Sequence, residues 1–257
     1  MKNINDLKTK LEDIFAYKFF GVKDINSCSD EERYICSLVA ETQAYLRAVI
    51  PEPYYKFSIK DFDGLSEHNL QVLEPKVAVA AKKEIVKYCW GNIPLDKINS
   101  MDQKELDNVS IINKRKSNCD NVVIYPKVKS FEQKGKTFCA SLIMKEAIKS
   151  RVNNGLDLAQ TYDWIEYAIL EDMVRKQEES ELSDIRSADW LVVEDIPYSS
   201  TRWKREMMNP FFIERIRDGL PTIFVFRFNV KQKQSEDDLG LAITKVIGSS
   251  RTCFIEL

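Results

Sequence analysis

Apolar residues recur at three- and four-residue steps through Ile4, Leu7, Leu11, Ile14 and Phe15, the period of an amphipathic helix, until Gly21 breaks it. Ser29 followed three residues later by Glu32 has the form of a capping box, and Tyr34, Leu38, Ala44 and Leu46 carry a second helix to about Val49. Pro51 and Pro53 stop it. Residues 1–49 are therefore expected as a helical N-terminal module, either attached for partner binding or packed on the main core. An extended stretch with Phe57, Ile59 and Phe62 follows, and then a helix over about 75–90 whose apolar face carries Val77, Ala80, Ala81, Ile85, Val86 and Cys89. Residues 91–120 are polar, include the basic cluster Lys114-Arg115-Lys116, and read as a long loop with one short helix near 101–107.

From Asn121 the period changes. Val122-Val123-Ile124-Tyr125 reads as a buried strand, followed by a loop and a helix from about Lys136 to Arg151. A further helix is expected over about 160–176, and Trp190-Leu191-Val192-Val193 reads as a second buried strand that ends in Glu194-Asp195. A helix from about Lys204 to Arg217, a turn at Asp218-Gly219, a strand over 222–228 and a short strand over 252–255 complete the chain. Apolar strands alternating with amphipathic helices predict an α/β fold with a parallel sheet in three layers. The expected division is 1–49 as the helical module, 50–120 as a lead-in, and 121–257 as the α/β core.

Composition narrows the classes of function. Among 257 residues, 44% are hydrophobic and 30% charged, and 38 Lys+Arg stand against 40 Asp+Glu, so neither global disorder nor wholesale electrostatic binding of nucleic acid fits. The single histidine, His68, excludes multi-histidine metal centres and leaves Ser-His and Cys-His hydrolases one candidate base. Six cysteines form no CxxC pair, and zinc at Cys28 and Cys36 would need an unusual ligand spacing. No apolar run approaches the roughly 20 residues a bilayer span requires, and no secretory signal opens the chain. A soluble, cytoplasmic protein is expected.

The chemistry concentrates between the first core strand and its helix. Ser130-Phe131-Glu132-Gln133-Lys134-Gly135-Lys136-Thr137 matches the phosphate-loop pattern GxxxxGK[ST] except that Ser130 replaces the first glycine. Such a loop works because backbone N–H groups and a helix N-terminus face the anion, a lysine reaches the terminal phosphates and a hydroxyl holds Mg²⁺. Ser130, Lys134, Gly135, Lys136 and Thr137 are the candidate nucleotide-contacting residues, with Lys136 on the phosphates and Thr137 on the metal. Downstream, Leu191-Val192-Val193-Glu194-Asp195 delivers two acids to a strand end, as a Walker B element does. Glu194 is the candidate Mg²⁺-side acid, and Asp195 takes the place of the residue that polarises the attacking water. Taken singly, Gly-Lys-Thr also fits a surface tripeptide, and the two acids also fit a strand ending at a helix cap.

The ordered set of motifs resembles the AAA+ domain of bacterial replicative helicase loaders of the DnaC/DnaI type and the related IstB ATPases. The residues that carry it are Ile50-Pro51-x-x-Tyr54, Ser58-Ile59-Lys60-Asp61-Phe62, Ala81-Lys82-Lys83-x-x-Val86-Lys87-Tyr88, Asn121 to Tyr125, Gly135-Lys136-Thr137, Ala188 to Asp195, Arg217-x-Gly219-Leu220-Pro221-Thr222-Ile223, Leu239-Gly240 and Arg251 to Leu257. The resemblance spans roughly residues 50–257. It implies a P-loop NTPase core, ATP with Mg²⁺ as cofactors, self-association, and a hexameric replicative DNA helicase as partner, gripped by the N-terminal helices. It also marks departures. The loop before Gly135 is long and lacks the family's glycines, which obstructs close backbone approach to phosphates. Where these ATPases present a Ser-Asn sensor, the chain reads Phe226-Arg227-Phe228-Asn229, leaving Asn229 as candidate. Where the family carries paired arginines that reach a neighbour's nucleotide, Lys245 lies nearest, and Arg251 is a weaker substitute.

Charge is unevenly spread. Residues 112–136 carry seven Lys/Arg against two acids and 198–233 carry eight against three, whereas 171–195 carry nine acids against three bases. Arg202, Trp203, Lys204 and Arg205 mix cations with an aromatic ring, a combination suited to single-stranded DNA and equally to a solvated helix face. The expectation is an ATP-binding helicase loader with weak ATP hydrolysis. The alternatives are a non-hydrolysing AAA-like adaptor of the replisome and an IstB-like helper of transposition.

Overall fold

Val122–Tyr125 is buried at all four positions, and a strand with no solvated face has to lie inside a sheet covered on both sides. The computed structural model describes residues 44–52, 54–64, 75–127, 135–153, 161–198, 201–232 and 240–257. The first expected helix and the second up to residue 43 lie outside them. The described chain runs through a helical turn at 44–49, two 3₁₀ turns at Tyr54–Lys56 and Ile59–Gly64, and helices α1 (Pro75–Trp90), α2 (Leu95–Ser100), α3 (Gln103–Val109) and α4 (Ile112–Ser117). The core then follows as β1 (Val122–Tyr125), α5 (Lys136–Asn153), β2 (Tyr162–Glu166), α6 (Tyr167–Lys176), α7 (Glu179–Ser187), β3 (Trp190–Ile196), α8 (Arg202–Arg217), β4 (Thr222–Phe226), α9 (Leu241–Gly248) and β5 (Cys253–Glu256).

The five strands form one parallel sheet in the order β2-β3-β4-β1-β5. After β1 the chain crosses two strands to start β2, then returns through β3 and β4 and steps past β1 to β5. Right-handed crossovers in opposite directions put helices on opposite faces. On one face Leu142, Ile143 and Ile148 of α5 and Ile85 and Cys89 of α1 pack on Val122, Ile124, Val192, Ile223 and Val225. On the other, Leu170 of α6, Leu182 of α7, Met208 and Phe212 of α8 and Val246 of α9 pack on Val123, Leu191, Val193, Phe224 and Phe226. The three-layer α/β core is as the sequence predicts.

Two local expectations are corrected. Residues 91–120 are not mainly loop: they form α2, α3 and α4, each short helix burying one anchor, Ile98, Leu106 and Ile112, under a polar exterior. Tyr162 to Glu166 is strand rather than the first turns of a helix over 160–176. Its alternating Tyr-Asp-Trp-Ile-Glu has the period of two, and β3 supplies the pairing partner.

Two anchors position the site. Lys145 Nζ of α5 donates to the carbonyl oxygens of Tyr55 (2.9 Å) and Phe57 (2.7 Å), fastening the lead-in to the helix that follows β1. Arg215, 1% exposed, donates to the carbonyls of Arg186 (2.7 Å), Ala188 (2.8 Å) and Pro221 (3.0 Å) and to Thr222 Oγ1 (3.0 Å), which joins α7, α8 and the start of β4.

Candidate functional site

Because β4 lies between β1 and β3, the carboxyl ends of these three strands stand side by side, the place where open α/β sheets bind ligands. Gly135, at φ +97°, takes a backbone conformation that side-chain-bearing residues rarely adopt and turns the chain into α5. Lys136 and Thr137 occupy the first turn of this 18-residue helix, where unpaired N–H groups and the helix dipole favour an anion. Ser130 and Lys134 lie outside the described residues.

Lys136 is buried, and its Nζ donates to the carbonyl oxygen of Phe226, the last residue of β4, at 2.9 Å. Burial pulls its ammonium down to about 8, although the carboxylates of Asp195 and Glu194 favour the charged form. Thr137 Oγ1 donates to Glu194 Oε1, and Trp164 Nε1 of β2 donates to Glu194 Oε2 at 2.9 Å. The two candidate metal-side groups, Thr137 and Glu194, are thus brought into direct contact from elements 57 residues apart. Burial raises the Glu194 carboxyl above the ordinary range, opposed by the hydrogen bonds from Thr137 and Trp164. Tyr54 of the lead-in is raised by burial and, secondarily, by the charge of Glu194, which brings the lead-in to the same site.

Asp195 is turned onto Arg227, while its charge still reaches Lys136. Between Val193↔Phe224 and Ile196↔Phe226 the β3–β4 register slips by one residue, and Asp195 sits in this bulge at φ +59°. Bulges re-aim side chains next to functional sites, and this one delivers Asp195 Oδ2 to Arg227 NH2 at 2.7 Å. The hydrogen bond from Arg227 lowers the Asp195 carboxyl below its usual range. Asn229 Nδ2 donates to the Lys127 carbonyl at 2.9 Å and its Oδ1 accepts from the Lys231 N–H at 3.0 Å, so it braces the stub of the loop after β1. Lys245 is exposed on α9, and among the described residues no hydrogen bond or ion pair joins it to the other site residues. Of the basic-aromatic cluster, Trp203 is 60% exposed, Lys204 pairs with Glu171 of α6 at 2.6 Å, and Arg205 is half-buried.

The sequence reading did not single out Trp164 or Arg227. The signal for Trp164 is the two-residue period of β2, which puts it on one face with Val192 and Glu194 once β2 pairs with β3. The signal for Arg227 is its place directly after β4.

The oxygen donors present suit Mg²⁺, which takes one or two carboxylates and completes its shell with phosphate oxygens and water. Among the described residues no group of three or more His, Cys, Asp or Glu could hold a metal ion. Also among the described residues, no helix is long and apolar enough to cross a membrane.

No protein-family model matches the chain, and no curated protein matches it in sequence. Solved structures do. The crystal structure of the DnaC helicase loader superposes with a TM-score of 0.51 at 11% identity, covering 80% of this chain and 99% of that one. A crystal structure of DnaI gives 0.40 at 16% identity, covering 68% of this chain and 89% of that one. A primosome component from Streptococcus pyogenes serotype M3 gives 0.47 at 12%, covering 84% and 96%. With its parallel five-stranded sheet, helix-covered faces and lysine-bearing helix after β1, the chain shares the fold of the DnaC helicase loader.

Proposed function

We propose that this protein binds ATP·Mg²⁺ at the carboxyl ends of β1, β4 and β3 and acts as a nucleotide-controlled accessory factor that helps place a replicative DNA helicase on DNA. The observation that carries the nucleotide reading is the contact of Thr137 with Glu194 beside the buried Lys136: one hydroxyl, one carboxylate and one ammonium at a helix N-terminus. The helicase reading rests on the shared fold and on the ordered motifs. In this account Lys136 reaches the terminal phosphates, and Thr137 and Glu194 hold the Mg²⁺, which neutralises phosphate charge when bound. With nucleotide bound, Lys136 would leave the Phe226 carbonyl for the phosphates, and the end of β4 would lose that donor. Residues 1–49 grip the helicase, Lys245 serves a neighbouring copy, and Trp203 with its basic neighbours takes single-stranded DNA.

A second reading, a nucleotide-insensitive AAA-like adaptor, is favoured by one feature: Asp195 is paired with Arg227, and Asn229 is bonded to the Lys127 carbonyl, so both already have partners within the chain. Equilibrium binding of a fluorescent ATP analogue with Mg²⁺ to the wild type and to Lys136→Ala separates the two. Micromolar binding abolished by the substitution, with phosphate release stimulated by single-stranded DNA and helicase capture that depends on nucleotide, supports the loader. Absence of binding by either protein leaves the adaptor.

A further inference from the structure

Glu194 carries three rotatable side-chain bonds, and a carboxylate left to choose among rotamers presents its oxygens to a cation only part of the time. Here both oxygens are committed. Oε1 accepts from Thr137 and Oε2 from the indole N–H of Trp164. An indole nitrogen is a donor only, so this contact has one polarity: it holds a carboxylate and cannot compete with it for a cation. The backbone explains the reach. Trp164 pairs with Val192 and Glu166 with Glu194 in the β2–β3 ladder, which places Trp164 diagonally across from Glu194 on the face covered by α5, where Thr137 enters. The ring itself is half-buried against the core of that face, so the donor is carried on a packed support.

We propose that Trp164 is the positioning residue of the metal-side acid: its indole fixes one oxygen of Glu194 so that the other stays on the Thr137 side, where the cation accompanying a nucleotide is held. The proposal rests on the nucleotide reading above and adds to it a residue on the edge strand β2. Outer-shell donors of this kind set metal affinity through the geometry of the ligand they hold, and removing one costs about tenfold or more. Trp164→Phe keeps an aromatic ring in the core and removes only the N–H and the smaller ring.

The test is binding of a fluorescent non-hydrolysable ATP analogue to the full chain, titrated over Mg²⁺ and repeated in EDTA. Trp164→Phe should raise the Mg²⁺ concentration for half-maximal tightening about tenfold, with the metal-free affinity unchanged within about twofold. In wild-type protein labelled with ¹⁵N at the indoles, the Trp164 Nε1–H resonance should shift when Mg²⁺ is added to the analogue complex, a readout that survives if the variant fails to fold. An unchanged Mg²⁺ midpoint in a folded Trp164→Phe, or an unmoved wild-type indole signal, overturns the proposal while leaving the nucleotide site standing. No analogue binding by the wild type, with or without metal, sinks the nucleotide reading and the proposal with it.

Discussion

Lys136 provides the sharpest quantitative test, because burial brings its ammonium to about 8, within reach of ordinary buffers. At that value about nine-tenths of the side chain is charged at pH 7, half at pH 8 and about one-tenth at pH 9. Bound phosphates favour the ammonium, so the complex keeps its proton while the free protein loses it. The dissociation constant for ATP should therefore rise about tenfold between pH 7 and pH 9, close to 1.4 kcal/mol. The nucleotide contributes little to this slope, since phosphate esters finish ionising near pH 6–7. Stability moves the other way. An unfolded lysine titrates near 10.4, so between about pH 8 and 10.4 the unfolded chain binds more protons and this group's contribution to stability grows with pH, by about 2 kcal/mol after solvent screening. The thiols of Cys89, Cys139 and Cys253, raised by burial, lose stability over the same range, so urea unfolding at each pH separates weaker binding from unfolding. Fluorescence titration at pH 7, 8 and 9, with Lys136→Arg as the permanently charged control, should show a slope in the wild type and a flat profile in the variant. A flat wild-type profile would falsify the assignment of Lys136 to the phosphates.

Three further predictions concern the frame and the surface. Arg215→Met leaves the carbonyls of Arg186, Ala188 and Pro221 without their donor, and urea unfolding should show a loss of about 3–5 kcal/mol; a loss under 1 kcal/mol would mean water replaces the guanidinium at no cost. Gly219 stands at φ +75° with an added Cβ only 2.6 Å from Cys119 Sγ, so Gly219→Ala should destabilise by about 1–3 kcal/mol in the same assay, and Cys119→Ala should recover the steric part but not the backbone part. Trp203, exposed on the first turn of α8, should stack on a base: Trp203→Ala should weaken binding of an oligo-dT by about fivefold or more at fixed salt, and an unchanged affinity would remove this helix from the DNA surface.

How far the sequence speaks depends on whether the deciding contact is local. β1, β3 and β4 are legible because a strand buried on both faces must be a continuous apolar run, and Val122 to Tyr125, Trp190 to Val193 and Ile223 to Phe226 are such runs. Lys136, Thr137 and Glu194 stand out in the sequence because they are residue types that phosphate and Mg²⁺ chemistry would ask for after those strands, and the structure brings Thr137 and Glu194 into contact. β2 is hidden by its own ending: Glu166 passes directly into the amphipathic α6, and the longer helical period absorbs the five-residue alternation. Missing β2 also hides Trp164, whose role exists only once β2 is laid beside β3. Asp195 is hidden for a different reason. Its residue type fits a water-polarising acid, but one extra residue in β3 turns it to φ +59° and onto Arg227, and nothing in Glu-Asp-Ile-Pro announces a bulge. The consequence bears on turnover. If Asp195 is to act on water, Arg227 must first release it, and the pair is exposed enough that the cost is modest, below about 1 kcal/mol. The pairing that holds Asp195 in the free protein is therefore weak enough for a ligand that draws Arg227 away to undo.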